Sequence, residues 1–265
     1  MNRIQRKAEE LLNKNQKAFV AYITAGHPTP ESFLDIVISL ERAGVDIVEV
    51  GVPFSDPVGD GPVIQSASLV ALRNGTTPIK VLEWISKLRE NSNIPILLFT
   101  YFNPILACGI SNFIEQSAKS GVDGILCVDL PVEEAEDYTH KAREKGLATV
   151  FLIAPTSSEE RIRKITRNCS GFVYYISRLG VTGEKQDVSQ DISQRVQVIK
   201  KYTSLPVYVG FGISKPEHAK YVARVSDGVI VGSAFVRFLE EHKGDSMWKE
   251  RFIDYVNSLV VGAKA

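Results

Sequence analysis

Short apolar runs rich in β-branched residues recur along the chain, and a stretch with helical periodicity follows each of them. The runs are nearly continuous in their hydrophobicity, which is typical of parallel strands covered on both faces. Eight of them are present, at residues 19–24, 46–50, 95–100, 124–129, 148–153, 171–176, 206–210 and 228–231. Eight strands that alternate with helices predict an α/β fold, a single closed (β/α)8 TIM barrel.

Glycines mark the ends of several predicted helices. Gly44, Gly121 and Gly146 each stand just before a strand, which is the C-cap use of glycine. No linker, repeat or low-complexity tract divides the sequence, so we expect residues 1–265 to form one barrel domain with extra helices at about 2–13 and 246–260. The runner-up is an open doubly wound sheet, but a G-x-G-x-x-G fingerprint after the first strand is missing.

Charge and cysteine content argue against several kinds of partner and site. The chain has 31 Lys and Arg residues against 31 Asp and Glu residues and no basic run, so nucleic acid is not an expected partner. Three widely spaced cysteines and four scattered histidines predict neither disulfides nor a metal site, and they fit a cytoplasmic location. No signal peptide or membrane span is expected, because the mainly apolar stretch 94–110 is interrupted by prolines and too short.

Two acidic residues are candidates for chemistry. Glu49 lies within an apolar run, and strand alternation places it with Ile47 and Gly51 on the barrel-facing side. A carboxylate is costly to bury there, which favours a catalytic acid/base over a core glutamate satisfied by a hydrogen bond. Asp60 stands between two glycines and ahead of Pro62. It is either an ordinary turn or N-cap residue, or a catalytic group carried over the barrel mouth by a mobile loop.

Glycine-rich turns follow the last three predicted strands, at residues 180–183, 210–214 and 232–233. In barrels the backbone N–H groups of such turns, together with the positive end of a helix, form the usual phosphate site. Tight-turn glycine is the alternative explanation for any one of them. Three turns at the appropriate strand ends predict a phosphorylated substrate.

Longer segments of the chain resemble one known family. They are EVGVPFSDP at 49–57, DGP at 60–62 and SR at 177–178 before GVTG at 180–183, and the match extends from residues 21–26 to 210–214. In this order the segments are similar to the α subunit of tryptophan synthase. The resemblance implies retro-aldol cleavage of indole-3-glycerol phosphate to indole and glyceraldehyde 3-phosphate.

The resemblance also implies roles for individual residues. Glu49 matches the acid/base that acts at indole C3 and at the neighbouring hydroxyl, and Asp60 matches the group that stabilises charge at the indole N–H. The residues implied to bind the rest of the substrate are Tyr22, Phe99, Leu126, Ile153, Tyr174, Thr182 and Phe211. The residues implied to bind its phosphate are Gly183, Gly212, Gly232 and Ser233.

A protein partner is implied as well. It is the pyridoxal-phosphate-dependent β subunit, which receives indole through an internal channel, in an α2β2 heterotetramer. The residues expected to face it are Pro53, Phe54, Ser55 and Asp56 in one segment and Tyr101, Phe102, Asn103 and Pro104 in another. Because the pyridoxal phosphate belongs to the partner, this chain is expected to need no cofactor.

Four positions depart from the residues usual in that family. The family usually has Asp at the position of His27, Ala at Gly59, Ala or Ser at Leu179, and Tyr at Phe172. Gly59 is expected to add freedom to the loop of Asp60, and Leu179 to add bulk beside the 180–183 turn. These departures keep open the alternative of a weak or inactive subunit that chiefly activates its β partner. Another phosphate-binding barrel, such as a sugar-phosphate isomerase or epimerase, is a further alternative, because it uses the same phosphate-binding glycines.

Overall fold

The computed structural model of the chain describes residues 1–177, 185–210 and 212–265. Within these ranges the strands are β1 (Ala18–Thr24), β2 (Ile47–Gly51), β3 (Ile96–Thr100), β4 (Gly124–Cys127), β5 (Ala148–Val150), β6 (Leu152–Ile153), β7 (Val173–Ile176), β8 (Val207–Gly210) and β9 (Gly228–Val231). The helices are α1 (Arg3–Asn13), α2 (Phe33–Arg42), α3 (Pro62–Arg73), α4 (Pro78–Leu88), α5 (Phe102–Cys108), α6 (Ile110–Lys119), α7 (Glu136–Glu144), α8 (Glu159–Asn168), α9 (Lys185–Lys200), α10 (Pro216–Val225), α11 (Ser233–Glu241) and α12 (Trp248–Lys264).

The strands form one parallel barrel. They are hydrogen bonded in the order β5-β4-β3-β2-β1-β9-β8-β7-β6. The two strands at the ends of this order, β5 and β6, are consecutive in the chain and separated by Phe151 alone. They are the two halves of the predicted run 148–153, one pairing with β4 and the other with β7. The predicted (β/α)8 TIM barrel is therefore confirmed, with its fifth strand interrupted at Phe151.

Strand alternation decides which side chains fill the barrel. Ile47, Leu97 and Ile230 belong to a buried interior cluster, whereas their neighbours in sequence pack between the strands and the helices. Glu49 has the same parity as Ile47, and its register partners on the adjacent strands are Tyr22 and Leu97. The predicted inward orientation of Glu49 is thus confirmed.

Helix α1 closes the N-terminal end of the barrel. Its residues Ile4 and Leu11 are buried members of the interior cluster. The helix is fixed by Arg3, whose backbone N–H and guanidinium both donate to the Asp123 carboxylate, at 3.2 and 3.1 Å. Helix α1 therefore fills the barrel interior at this end, whereas the opposite end, where the strands terminate, holds a cavity.

The predicted terminal helices and helix ends are also present. Helices α1 and α12 correspond to the expected helices at each end of the chain. Gly44, Gly121 and Gly146 have φ values of +90°, +86° and +75°, the left-handed conformation that a C-cap glycine supplies. In the described ranges, none of the helices is both long and apolar enough to span a lipid bilayer.

The segment between β2 and α4 is only partly a loop. Residues 52–61 are non-helical, and α3 then begins at Pro62 with Gly61 as its N-cap. Proline at the first helical position is favoured because its missing N–H would have no partner there. Asp60 is therefore not the cap of this helix, which removes the N-cap explanation for that residue.

Candidate active site

A cavity of about 560 Å³ opens at the C-terminal ends of the strands. This volume lies within the range of small-molecule sites. Side chains at the ends of β1, β2, β3 and β7, the loop before α3, and the turns after β8 and β9 line it. The two candidate acids and the described part of the glycine-rich turns meet in this one cavity, since Glu49, Asp60, Gly212, Gly232 and Ser233 all contribute to its wall.

Glu49 faces the cavity from the interior of β2. Only 1% of its surface is exposed, and neither carboxyl oxygen has a hydrogen-bond partner among the described residues. Burial, and secondarily the negative charge of Asp60, raises the pKa of Glu49 to about 8. Near neutral pH the residue is therefore mainly a neutral acid that can donate a proton into the cavity.

Asp60 reaches the cavity from the loop before α3. Burial raises its pKa to about 6, although a hydrogen bond from Tyr101 opposes the shift. The Tyr101 hydroxyl donates to Asp60 Oδ2 at 3.0 Å and accepts from the Gly59 N–H at 3.0 Å. The Gln65 side chain, in α3, donates to the Asp60 carbonyl oxygen at 2.9 Å. These contacts hold a mainly ionised carboxylate at the cavity wall.

Tyrosine and phenylalanine rings form part of the apolar wall. Tyr22 and Phe99 meet edge to face with ring centroids 5.3 Å apart, and Tyr174 lines the same cavity. Glycines on the neighbouring strands make room for the two tyrosines. A Cβ at Gly51 would lie 2.2 Å from the Tyr22 hydroxyl oxygen, and one at Gly210 would lie 2.7 Å from Tyr174 Cε1.

Two residues that the resemblance implies for the indole pocket, Leu126 and Ile153, are not in direct contact with the cavity. Leu126 is fully buried in the interior cluster, and Ile153 is fully buried in the layer between strands and helices. Val128 and Leu152 line the cavity instead. For Ile153 the reason is strand parity: Leu152 faces the interior, so Ile153, the next residue, faces outward. Leu126 faces the interior and belongs to the cluster against which the cavity-lining Phe99, Val128, Leu152 and Tyr174 pack.

Of the four residues predicted to bind phosphate, the structure describes three. Gly232 is the N-cap of α11 and Ser233 its first residue, so the unpaired N–H groups of a helix start are beside the cavity. Gly212 follows β8 and lines the same wall. The predictions for Thr182, Gly183 and Phe211, and the departure at Leu179, concern positions outside the described residues.

The two segments predicted to face a partner lie side by side. The Phe54 ring packs against the Tyr101 ring, with centroids 5.2 Å apart. Ser55, Asp56 and Asn103 are exposed, Phe54 and Phe102 are half-buried, and Pro53, Tyr101 and Pro104 are buried. Tyr101 has a further contact that the sequence reasoning missed, because its hydroxyl binds Asp60.

The departures from the family pattern have distinct surroundings. His27 is buried, and its Nε2 lies 2.8 Å from Glu240 Oε2 on α11. A Cβ at Gly59 would lie 2.8 Å from Val128 Cγ1, so alanine at this position would require the loop or the Val128 side chain to shift. Phe172 stacks on Tyr208 inside the barrel, with centroids 4.5 Å apart.

Sequence reasoning also missed Arg237 in the cavity wall. It lies on α11, one helical turn after Ser233. The i, i+4 spacing from Ser233 was a usable signal, because residues four apart on a helix share a face.

Comparisons with known proteins identify the family. The family model described as tryptophan synthase alpha chain matches residues 8–260. The tryptophan synthase alpha chain of Geotalea uraniireducens is 45% identical over 265 residues, covering 100% of this chain and 99% of that protein. That of Solibacter usitatus is 48% identical over 242 residues, covering 91% of each.

Solved structures agree with these relatives. Tryptophan synthase subunit alpha from Legionella pneumophila superposes with a TM-score of 0.92 at 34% identity, covering 99% of this chain and 98% of that chain. A chain of tryptophan synthase from Mycobacterium tuberculosis superposes with a TM-score of 0.89 at 32% identity, covering 100% and 99%. The chain therefore belongs to the tryptophan synthase alpha chain family.

Proposed function

We propose that residues 1–265 act as one catalytic domain that cleaves indole-3-glycerol phosphate to indole and glyceraldehyde 3-phosphate, a carbon–carbon lyase reaction of tryptophan biosynthesis. The observation that carries the proposal is the buried Glu49, whose carboxyl oxygens lack protein partners and face the same cavity as Asp60. Membership of the tryptophan synthase alpha chain family supports the substrate and reaction.

The first chemical step follows from the two protonation states. Neutral Glu49, with its pKa raised to about 8, gives its proton to C3 of the indole ring. This makes C3 tetrahedral and leaves positive charge on the ring nitrogen. Asp60, ionised above about pH 6, accepts a hydrogen bond from the ring N–H and stabilises that charge.

The second step returns the proton to Glu49. The Glu49 carboxylate takes the proton of the hydroxyl on the carbon attached to C3, and the C–O bond becomes a carbonyl. The C3–carbon bond breaks, and its electron pair restores the aromatic ring of indole. Protons and electrons balance, and Glu49 ends the cycle protonated, so the reaction itself requires no redox group or cofactor.

The remaining cavity residues hold the two ends of the substrate. We assign Tyr22, Phe99 and Tyr174 to the indole and glycerol part, because their side chains surround the two acids. We assign Gly212, Gly232 and Ser233 to the phosphate, because a turn and a helix start present backbone N–H groups there. Thr182, Gly183 and Phe211 keep the roles that the family resemblance implies for them.

We also propose a β subunit as partner, in an α2β2 heterotetramer located in the cytoplasm. The segments of Phe54 and Phe102 are the proposed contact surface, and indole passes from the cavity to that subunit. Pyridoxal phosphate is assigned to the partner. Of the two alternative functions, neither is favoured: both acids face the cavity as the lyase reaction requires, and the family match covers residues 8–260.

Indole release from indole-3-glycerol phosphate tests the function. We expect Glu49→Gln and Asp60→Asn each to lower kcat by at least about 100-fold, because each removes a group that acts on the reacting atoms. Glu83→Gln is the matched control, since Glu83 is exposed on α4.

The assay is run on the chain alone and with a tryptophan synthase β subunit. Wild-type turnover in the Glu49 variant would contradict the proposal, whereas an inactive wild-type chain that still accelerates the β subunit would establish the activator alternative.

A further inference from the structure

Arg237 brings a positive charge to the wall of the cavity. It lies on α11 one turn after Ser233, and Gly212, Gly232 and Ser233 line the same cavity. The turn after β8 is close to it as well. Tyr255, whose hydroxyl donates to the Ser214 carbonyl oxygen at 3.0 Å, has its pKa raised by burial, and the charge of Arg237 opposes that rise.

The guanidinium of Arg237 has no carboxylate partner within the described part of the chain. Its helix offers two acids at suitable spacing, Glu240 and Glu241. Glu240 instead contacts His27 at 2.8 Å. Glu241 follows Arg237 by four positions, which is the weaker order for a helical ion pair. The cation is thus available to a ligand.

The cavity wall carries charges of both signs. Its acidic groups are Glu49 and Asp60, and Arg237 is the one basic residue among the described residues that line it. A substrate that carries both an aromatic N–H and a phosphate matches this combination of charges. Backbone N–H groups supply partial charges only, whereas a guanidinium supplies a full charge and a planar pair of donors suited to phosphate oxygens.

We propose that Arg237 binds the phosphate of the substrate and makes the cavity selective for the phosphorylated molecule. The proposal rests on the proposed function and adds a side chain to a phosphate site otherwise built from backbone and hydroxyl groups. Arg237 acts on binding and not on the reacting carbon, so its removal should raise KM and leave kcat nearly unchanged.

Steady-state kinetics of Arg237→Gln distinguish an effect on KM from an effect on kcat. For indole-3-glycerol phosphate we expect KM to rise about 5- to 10-fold with kcat changed less than about twofold, the size of one solvent-exposed charged hydrogen bond. For unphosphorylated indole-3-glycerol we expect no change in kcat/KM. Arg237→Lys keeps the positive charge but lacks the planar pair of donors, so its KM for indole-3-glycerol phosphate should lie between the values of wild type and Arg237→Gln. Arg224→Gln is the matched control, because Arg224 is an exposed arginine on α10 that borders a separate cavity with Lys17 and Ala265.

A binding measurement on the full chain makes the test independent of turnover. Inorganic phosphate, titrated by calorimetry, is expected to bind more weakly to Arg237→Gln than to wild type or to Arg224→Gln. If no variant, wild type included, cleaves the substrate, the proposed function fails and this titration alone decides the role of Arg237. Equal phosphate affinity in Arg237→Gln and Arg224→Gln, or an equal loss for both forms of the substrate, would overturn the proposal.

Discussion

Glu49 and Asp60 carry the same functional group, yet their surroundings give them different protonation states near neutral pH. Glu49 lies on a strand, almost fully buried and without a hydrogen bond from the described residues. Asp60 lies on a loop and accepts a hydrogen bond from Tyr101. Their pKa values, about 8 and about 6, therefore differ in a way that lets one donate a proton while the other stabilises a cation.

The pH dependence of kcat/KM should report the contact between Tyr101 and Asp60. The hydroxyl stabilises the ionised carboxylate and lowers its pKa, so Tyr101→Phe should move the acid limb of the profile to higher pH. The ionisation of the substrate phosphate is common to both enzymes and cancels in the comparison. Tyr138→Phe is the control, because that hydroxyl donates to the Ile125 carbonyl oxygen away from the cavity. A shift to lower pH, or the same shift in both variants, would refute the assigned contact.

Stability should also depend on pH through Glu49. The pKa of its side chain in the folded protein, about 8, is above the ordinary value of 4.5, so the folded state holds a proton that the unfolded chain has released between these values. Stability from this group is complete below about pH 4.5 and falls as pH rises to about 8, by up to about 1.4 kcal/mol per pH unit. Chemical denaturation should show a weaker loss in Glu49→Gln than in wild type or Glu83→Gln. Parallel stability curves for all three proteins would show that Glu49 is not perturbed.

Residue parity in a strand was sufficient to predict the orientation of Glu49, because alternation is a local property. The contact of Tyr101 with Asp60 was not predictable, since the two residues are 41 positions apart and meet only when the loop after β2 folds over the barrel end. Arg237 had a sequence signal in its i, i+4 spacing from Ser233, but only the fold shows that this face of α11 borders the cavity.

At the scale of elements, small residues on the strands set the shape of the cavity. Gly51 on β2 and Gly210 on β8 leave space for the rings of Tyr22 and Tyr174. The strands themselves were predictable from their apolar runs to within one or two residues. The break at Phe151 was not, because residues 148–153 are uninterrupted in their hydrophobicity and the division arises where β5 and β6 pair with different neighbours.

Gly210→Ala should disturb this packing. Its methyl group would come within 2.7 Å of Tyr174 Cε1, and the ring must shift into the cavity to relieve the overlap. We expect a loss of about 1–3 kcal/mol in the free energy of unfolding, the usual effect of overpacking, together with a higher KM. In Gly61→Ala no atom lies within 4 Å of the added methyl group, so the loss should be smaller and limited to the preference of an N-cap for glycine over alanine. Equal stability losses in the two variants would argue against the packing role of Gly210.

At the scale of the molecule, the two ends of the barrel have separate tasks. Helix α1 fills the N-terminal end with Ile4 and Leu11, and the C-terminal end holds the cavity. In TIM barrels the N-terminal face serves stability, whereas the C-terminal face carries the chemistry. The eight-strand pattern is enough to predict that the C-terminal end carries the site. It does not predict that α1 fills the N-terminal end, because that depends on which of its side chains enter the barrel.

Ile4→Ala tests that division. Ile4 is fully buried, so its truncation should cost about 2–5 kcal/mol of stability while leaving kcat/KM unchanged at temperatures where the variant remains folded. Leu12→Ala on the same helix is the control, because Leu12 is 44% exposed and its loss should be small. A marked fall in kcat/KM of folded Ile4→Ala would show that the two ends are coupled.

The proposed reaction requires Glu49 to be a neutral acid at neutral pH, and carbon-13 NMR titration of the labelled glutamate carboxyl groups measures this directly. The resonance of Glu49 is identified by its absence in Glu49→Gln. We expect a midpoint near pH 8, and a lower midpoint in Asp60→Asn, where the neighbouring negative charge is removed. A midpoint near the ordinary value of 4.5 would leave Glu49 ionised and would contradict its proposed role as the proton donor to the indole ring.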